Sequence, residues 1–359
     1  MLMTTSLGCG AAIPDPEYYW NHRYAHELEG WVEYPAVVSF SSEWRDAQLG
    51  PGDVLFNAGA SGLPFIWDGR PLEMVYEAPL IRVNGDIAGA ILNERHLSML
   101  PSVATRYPGQ FRTIIFEDID EITPEALRAL EQMVADEWVL RIIGPIPEGF
   151  VWENLGALGE RLIGFVSMGY SECPSFEELA SLPALRALSL AHKRDRDQPL
   201  GKVSLLSELQ QLDLVEAGVR DHDLVELASS SQLRWLDLRG TSVTDDGLRS
   251  LAQLRDLRVL DLTETQIEGS GLSHLSELSE LHWLNLGATE VTSESLRHLS
   301  ELPALRALFL HLTPVDDGGL RHLSELAGLR WLYLRQTPVT GEGFSSLSDS
   351  SELLGLSLS

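Results

Sequence analysis

The stretch LRWLDL, residues 233–238, returns along the chain every 24 residues. The copies that follow it read LRVLDL, LHWLNL, LRALFL and LRWLYL. With starts at 185, 209, 233, 257, 281, 305, 329 and 353, the first, fourth and sixth positions are leucine in all eight copies. A fixed period of this kind is the signature of a repeat architecture, in which each unit buries its apolar side against its neighbours.

Each copy has two halves with different periods. The LxL run alternates apolar and polar positions, which predicts a short strand with one buried face. The second half, as at Leu248, Leu251 and Leu254, has apolar residues at helical spacing, which predicts a short helix or 3₁₀ turn. Because a helical segment joins one strand to the next, the strands are predicted to be parallel. The copies then stack into a curved solenoid with the strands on its inner side.

The pattern LxxLxLxxTxVTDxGLxxLxxL, read from these copies, resembles that of leucine-rich repeat proteins. It is most similar to the bacterial and cysteine-containing subclass, with threonine in place of the usual ladder asparagine or cysteine. The resemblance covers residues 185–359. It implies an α/β leucine-rich repeat solenoid, with parallel strands on a concave face that binds partners and short helices on a convex face. It implies no particular activity, since such repeats serve unrelated functions.

The repeat weakens toward the N-terminus. Within residues 111–184, ITPEALRAL at 122–130 is similar to VTDDGLRSL at 243–251. Pro124 after Thr123 suits the first position of a helix. Proline has no N–H, and an N–H at that position would have no hydrogen-bond partner within the helix. We therefore interpret this segment as a set of degenerate repeats.

Residues 1–110 do not fit the period and are predicted to form a β-containing domain that caps the first repeat. Asn84-Gly85 and Asp68-Gly69, each between apolar runs, predict tight hairpin turns. No family is recognised in this region. The predicted organisation is an N-terminal capping domain, 1–110, and a solenoid, 111–359, with degenerate repeats at 111–184 and regular repeats at 185–359.

Composition argues against several classes of function. Asp and Glu number 53 against 26 Lys and Arg, which gives a net charge of −27 and predicts no nucleic-acid partner, since this field repels phosphate. No apolar run reaches the roughly 18 residues of a membrane span, so no membrane contact is predicted. The 2 cysteines make no disulfide framework. We therefore expect a cytoplasmic protein, and its preference for arginine over lysine favours a bacterial source.

Strand alternation determines which side chains reach the concave face. Positions 4 and 6 of each copy point into the core, so positions 3, 5 and 7 point out of it. Tryptophan returns at position 3 of alternate copies, as Trp235, Trp283 and Trp331. An indole ring is wider than the strand spacing of about 4.8 Å. The smaller Val259 and Ala307 between the tryptophans therefore leave room for the rings.

Two groups of side chains on this face are the predicted ligand-binding surface. The first is an aromatic patch, and the second an acidic stripe that favours a basic partner segment. Aromatic side chains are frequent anchors of binding. The predicted binding residues are Trp235, Trp283, Trp331, Phe309, Tyr333, Asp213, Asp237, Asp261, Arg239, His311 and Arg335. In the alternative interpretation, arginines at position 2 stack on the rings and neutralise the aspartates, so that the face is satisfied by its own side chains.

The predicted function is a non-catalytic recognition module that needs no cofactor and binds a protein or peptide, with a basic segment, in the concave groove. The alternative is an enzyme whose active site lies in the N-terminal domain or at its junction with the repeats. His22 and His26, one helical turn apart, are its weak candidate metal ligands, because no HExxH or paired-cysteine motif accompanies them. The open edge of the last strand predicts a homodimer through that edge.

Overall fold

The structure, a computed structural model, describes residues 38–39, 54–55, 65–66, 73–77, 80–83, 86–92, 94–117, 119–143, 146–147, 150–152, 155–168, 174–191, 200–340, 342–347, 353 and 355–357. Over these ranges the strands form one 15-stranded sheet and a separate two-stranded sheet. The N-terminal strands are β1 (Val38–Ser39), β2 (Val54–Leu55), β3 (Phe65–Ile66), β4 (Glu73–Glu77), β5 (Leu80–Val83) and β6 (Asp86–Leu92).

The N-terminal strands pair antiparallel. β1 pairs with β4, β4 with β5, and β5 with β6. Only residues 84–85 separate β5 from β6, so the hairpin predicted at Asn84-Gly85 is confirmed, although these two residues lie outside the described ranges. Asp68 and Gly69 also lie outside them. The preceding strand, β3, pairs with β2, and the turn at Asp68-Gly69 stays a prediction.

The parallel part of the sheet starts at β6, which pairs with the first strand of the degenerate repeats. The sheet therefore continues across the boundary predicted between residues 110 and 111, and the division into two domains stays a prediction. The next strands are β7 (Phe111–Glu117), β8 (Val134–Ile143) and β9 (Leu162–Met168). Two helices lie between β6 and β7, α1 (Glu94–Leu97) and α2 (Leu100–Arg106). The helices that follow β7, β8 and β9 in turn are α3 (Pro124–Met133), α4 (Ala157–Arg161) and α5 (Phe176–Leu179).

The start of α3 confirms the helix predicted from ITPEALRAL. Thr123 is the N-cap, and its hydroxyl oxygen accepts a hydrogen bond from the Ala126 N–H at 3.2 Å. Pro124 follows in the first turn, where a backbone N–H would have no helical acceptor, so proline costs no hydrogen bond there. The degenerate copies thus use the same strand-and-helix unit as the regular ones.

The regular copies each contribute a strand of three residues to the concave side. Neighbouring strands pair in parallel and in register, so equivalent positions lie side by side. The strands are β10 (Ala187–Ser189), β11 (Gln211–Asp213), β12 (Trp235–Asp237), β13 (Val259–Asp261), β14 (Trp283–Asn285), β15 (Ala307–Phe309), β16 (Trp331–Tyr333) and β17 (Gly355–Ser357).

The convex side holds short helices of both kinds that the sequence predicts. Two are α-helices, α6 (Asp245–Leu251) and α7 (Asp317–Leu323). The 3₁₀ helices span Val203–Leu205, Asp223–Ser229, Ser270–Glu277, Ser293–Glu301 and Gly343–Leu347. Thr244 caps α6, since its side chain accepts a hydrogen bond from the Asp246 N–H.

The core is a continuous column of leucines. From Leu185 to Leu334, the leucines at positions 1, 4 and 6 are at most 2% exposed. Threonines at position 9 close the turn after each strand, because each hydroxyl donates to the carbonyl three residues before it. These bonds are 2.6 Å long from Thr241, Thr265, Thr289 and Thr313, and 2.8 Å from Thr337. The repeated residues therefore serve the stacking of copies.

Truncation of one column leucine tests this packing. We expect Leu260→Ala to lower the free energy of unfolding by about 2–5 kcal/mol, because Leu260 is fully buried and its loss leaves a cavity. Leu205→Ala is the matched control, since Leu205 is 48% exposed, and its effect should stay within about 0.5 kcal/mol. Urea unfolding of both variants measures the difference. Equal losses in the two variants would contradict the assignment of the column.

Candidate recognition face

The concave face changes character along the sheet. The first part, over β8–β10, carries small apolar side chains such as Val139, Val166 and Ala187, which are buried. β3 lies close to β7 and β8 at this end. The middle part, over β11–β13, carries the three aspartates. The last part, over β14–β16, carries the aromatic side chains. The sequence predicts the second and third parts as binding surface.

The aspartates lie on the predicted face, but they are not exposed. Asp213, Asp237 and Asp261 are 2%, 1% and 6% exposed. Each accepts a hydrogen bond through Oδ1 from the backbone N–H two residues later, at 2.9–3.0 Å. Aspartate and asparagine side chains commonly make this local bond, which here fixes the turn at the end of the strand. The prediction of a solvent-facing acidic stripe is therefore corrected.

Asn285 occupies the same position in the next copy and makes the same bond. Its Oδ1 accepts from the Gly287 N–H at 2.9 Å, and its Nδ2 donates to Asp261 Oδ2 at 3.4 Å. At the other end of the row, the Ser189 hydroxyl donates to Asp213 Oδ2 at 2.8 Å. The acidic stripe, Asp213, Asp237 and Asp261, thus receives a hydrogen bond at each end from a polar side chain at the same position of the neighbouring copy.

Arg239 pairs with two of the aspartates. Its Nε and Nη2 donate to Asp237, with Nη2 to Oδ2 at 2.7 Å, and its Nε lies 3.5 Å from Asp261 Oδ2. The Arg239 side chain as a whole remains 30% exposed. The alternative interpretation of a self-satisfied face therefore holds for this part, where Arg239 at position 7 neutralises carboxylates.

One guanidinium does not balance three carboxylates in a buried row. Burial, followed by the charge of Asp237, raises the pKa of Asp213 to about 6 and the pKa of Asp261 to about 7. Burial lowers the pKa of Arg239, but Asp237 and Asp261 together raise it above its ordinary value. The acidic stripe can therefore take up a proton near neutral pH.

The aromatic patch consists of Trp283, Phe309, Trp331 and Tyr333. The rings of Phe309 and Tyr333 are stacked, with centroids 4.2 Å apart and planes 8° from parallel. Trp283 and Phe309 have centroids 4.8 Å apart at a tilt of 46°. All four side chains are only partly buried. The structure thus brings together the predicted aromatic residues as one partly exposed surface.

Trp235 belongs to a different environment from the other two tryptophans. It is 7% exposed and packs in the apolar cluster that contains Val259, with Trp283 at the border of that cluster. In the sheet, Val259 lies between Trp235 and Trp283, and Ala307 lies between Trp283 and Trp331. This register confirms that a small residue separates each pair of tryptophans.

His311 and Arg335 lie at the ends of the strands beside the aromatic patch. The His311 ring lies over Gly287, and a Cβ atom at that position would displace the ring. Burial, and then the charge of Arg335, lowers the pKa of His311. His311 is therefore neutral near pH 7, and Arg335 is the positive charge on this side of the patch.

The sequence analysis gave the arginines at position 2 the roles of stacking on the rings and neutralising the aspartates. We call Arg186, Arg234, Arg258, Arg306 and Arg330 the arginine rim, since each lies one residue before a strand of the concave face. Burial lowers the pKa of His282 despite an opposing effect of Glu280, and Arg258 and Arg306 on either side lower it further. The charges of Arg258 and Arg306 thus reach His282 between them, while Arg186 is paired with Glu137 at 2.8 Å. The repetition of arginine at one position of the copies could have indicated this rim.

The enzyme alternative names two candidate metal ligands. His22 and His26 lie outside the described ranges. Among the residues that the structure does describe, no group of three His, Cys, Asp or Glu side chains is arranged to hold a metal ion. In the same part of the chain, no helix has the length and apolar character needed to cross a bilayer.

Comparison with known proteins agrees with this geometry. A family model described as leucine-rich repeat matches residues 230–252 and 253–276, which contain the strands β12 and β13. Residues 230–276 therefore match leucine-rich repeats. No curated protein sequence matches the chain significantly.

Several solved structures are similar to this chain. In the mouse RP105/MD-1 complex, a chain is 18% identical with a TM-score of 0.53, and the match covers 76% of this chain and 51% of that one. Internalin C2 of Listeria monocytogenes is 24% identical over 56% of this chain and 83% of its own, with a TM-score of 0.47. A leucine-rich repeat protein of Leptospira interrogans is 16% identical over 68% and 75%, with a TM-score of 0.44.

The raised pKa values predict a dependence of stability on pH. In the unfolded chain the aspartates have a pKa of about 3.9. Between about pH 4 and pH 7 the folded protein therefore holds more protons than the unfolded chain does. The stabilisation from this difference is complete below about pH 4 and is lost as the pH rises through 6 to 7. We expect Asp261→Asn to reduce the fall in unfolding free energy between about pH 5 and pH 8.

Denaturant unfolding at both pH values measures this effect. Asn285 makes the local bond in its own copy, so asparagine at 261 keeps the geometry and removes the charge. Asp256→Asn, at an exposed position, is the control and should leave the fall unchanged. If the unfolding free energy falls equally in the wild type and in Asp261→Asn, the raised pKa of Asp261 in the buried acidic stripe is contradicted.

Proposed function

We propose that this protein is a non-catalytic recognition module that binds a protein or peptide on the concave face of its leucine-rich repeats. The observation that carries the proposal is the partly exposed aromatic patch, Trp283, Phe309, Trp331 and Tyr333. Large aromatic side chains on a soluble protein commonly mark a site of interaction. The similarity of fold to a chain of the RP105/MD-1 complex, a protein complex by its title, is consistent with such a role.

The patch is built for contact with a partner surface. Its rings are fixed against one another by stacking, so little side-chain entropy is lost when a ligand covers them. It lies on the face opposite the leucine column, and no packing of the copies requires tryptophan or tyrosine there. Aromatic anchors of this type often contribute most of the energy at an interface.

The other predicted binding residues contribute in different ways. Trp235, Asp213, Asp237 and Asp261 are buried, and Arg239 covers the carboxylates. We propose that they support the face from below, while His311 and Arg335 border the patch. A preference for a basic segment therefore keeps only the support of the net charge of −27.

Several finer expectations belong to the same proposal. A bacterial source and a cytoplasmic location rest on composition alone. A homodimer through β17 rests on its place at the end of the sheet, where the strand order has no neighbour beyond it among the described strands. The enzyme in the N-terminal region remains the second candidate, and its residues lie outside those that the structure describes.

A pull-down with a paired variant tests the proposed function. We expect the full chain to retain partners from a lysate of its source organism. The variant Trp283→Ala/Trp331→Ala/Tyr333→Ala should lose them, because each anchor typically contributes about 1–3 kcal/mol to binding. Leu205→Ala/Val225→Ala, which removes exposed apolar side chains from the convex side, is the control and should behave as wild type.

Thermal unfolding of both variants first establishes that they fold as the wild type does. Partners retained equally by the aromatic variant would contradict the assignment of the concave face. Stoichiometric metal in the purified protein, lost on His22→Ala, would favour the enzyme instead.

A further inference from the structure

We infer that Leu312, in the turn at the edge of the concave face, is a second contact point for the partner, and that the partner is a peptide segment with two apolar side chains, one for the aromatic patch and one for Leu312. The inference rests on the proposed function and extends its site beyond the strands. The observations that carry it are the exposure of Leu312, its backbone conformation and the residues around it.

Leu312 is an exposed apolar side chain next to the aromatic patch. It lies three residues after Phe309, in the turn that follows β15, and it is 49% exposed. It is not among the side chains that pack against the leucine column. The other large apolar side chains that are exposed in the described part of the chain lie before the regular copies or in convex 3₁₀ helices, and they are Met99, Val151, Leu205 and Val225.

The backbone at Leu312 has a conformation that disfavours leucine. Position 8 is left-handed in six successive copies, with φ between 50° and 65°. The residues at this position are Glu216, Gly240, Glu264, Ala288, Leu312 and Gln336. A Cβ atom crowds the following carbonyl oxygen in this conformation, whereas glycine has no Cβ. The Leu312 N–H donates to the Arg335 carbonyl at 2.9 Å, so the stacking of copies holds the turn in this shape. Neither the backbone nor the core therefore accounts for leucine at this place.

The same turn lacks a hydrogen bond that earlier copies make. In those copies the N–H of position 10 donates to the carbonyl of position 11 in the copy before, at 3.1, 2.9 and 3.0 Å from Ser242, Gln266 and Glu290. Position 10 of the last two full copies is Pro314 and Pro338, which have no N–H to donate. Both prolines are exposed. Since proline fixes its own φ, the turn that holds Leu312 is stiffer than its counterparts, and it is also more apolar.

Three rows of side chains are apolar together in one copy. In the copy that starts at 305, positions 5, 8 and 10 are Phe309, Leu312 and Pro314. In the copy that starts at 257, the same positions hold Asp, Glu and Gln, and in the copy that starts at 281 they hold Asn, Ala and Glu. The leucine column is the same in all of these copies, so its packing does not require the change. The apolar surface of the patch therefore continues past the strand into the turn.

The distance across this surface sets the spacing of the ligand. Phe309 and Leu312 are three positions apart, so their Cα atoms are separated by at most about 10 Å at about 3.3 Å per residue. A peptide in an extended conformation has a similar rise. Apolar side chains two or three positions apart in such a peptide therefore reach both the rings and Leu312, and each contact removes apolar area from water.

The experiment is selection of a random peptide-display library on the full chain. We expect the selected peptides to share two apolar residues, two or three positions apart. The strongest peptide should bind Leu312→Asn about tenfold more weakly, as is common for a true interface anchor. Leu312→Met, which keeps an apolar side chain of similar size, should bind it as wild type does.

Urea unfolding of the same variants separates binding from folding. Asparagine tolerates the left-handed region better than leucine does, so the urea midpoint of Leu312→Asn should equal or exceed that of wild type. A marked fall in this midpoint would overturn the inference, because leucine would then serve the fold.

A matched variant at the same position of another copy controls for changes in the turn. Ala288 has a φ of 52°, and Ala288→Gly removes only a methyl group there. Its affinity for the peptide should stay within about twofold of wild type, as is usual for surface substitutions. Equal weakening in Ala288→Gly and Leu312→Asn would overturn the inference, because the effect would then come from the turn and not from the leucine side chain.

The remaining outcomes separate this inference from the proposed function. Peptides that bind Leu312→Asn as wild type but are lost in Trp331→Ala/Tyr333→Ala would overturn the role of Leu312 and leave the recognition module intact. Peptides weakened by Leu312→Asn alone would overturn the contact at two points. Peptides that bind both variants as wild type would overturn both the inference and the proposed face. Selection of no peptide family by the wild type would also count against both.

Discussion

The structure depends on the burial of three leucines from each copy against the copies on either side. No single copy can bury its own leucines, so a continuous column forms only when strands stack in parallel and in register. This constraint fixes positions 1, 4 and 6 of every copy. Because side chains alternate along a strand, the same constraint turns positions 3, 5 and 7 to the concave face, where the column places no demand on their chemistry.

Part of that free face is used again for structure. Asp213, Asp237 and Asp261 bond to the backbone N–H two residues later, as Asn285 does. They close the strand ends in the middle of the solenoid, and Arg239 compensates part of their charge. In the last copies the same position holds Phe309 and Tyr333, which have no carboxylate to make that bond. Those copies give up a local hydrogen bond and gain an aromatic surface, which is the physical reason to assign function there.

The sequence predicted the fold well because the leucine period depends only on local alternation and spacing. It also predicted which side chains share the concave face, since the register follows from equal copy lengths. It did not predict their exposure. The burial of Asp237 depends on the position of Arg239 above it, which is a property of rotamers and neighbours and not of period. The bond between an aspartate and its own backbone was a signal available in the sequence, because Asp and Asn commonly make it at the end of a strand.

The central claim is that the C-terminal part of the concave face is open and recognises a partner, while the middle part is closed by its own side chains. Hydroxyl-radical footprinting read by mass spectrometry tests it residue by residue. The account predicts that Trp331 and Tyr333 are oxidised faster than Trp235 and Trp138, which are 7% and 1% exposed, and that a bound peptide protects them. Oxidation of Trp331 and Tyr333 as slow as that of Trp138 in the free protein, or no protection by a bound peptide, would contradict the account.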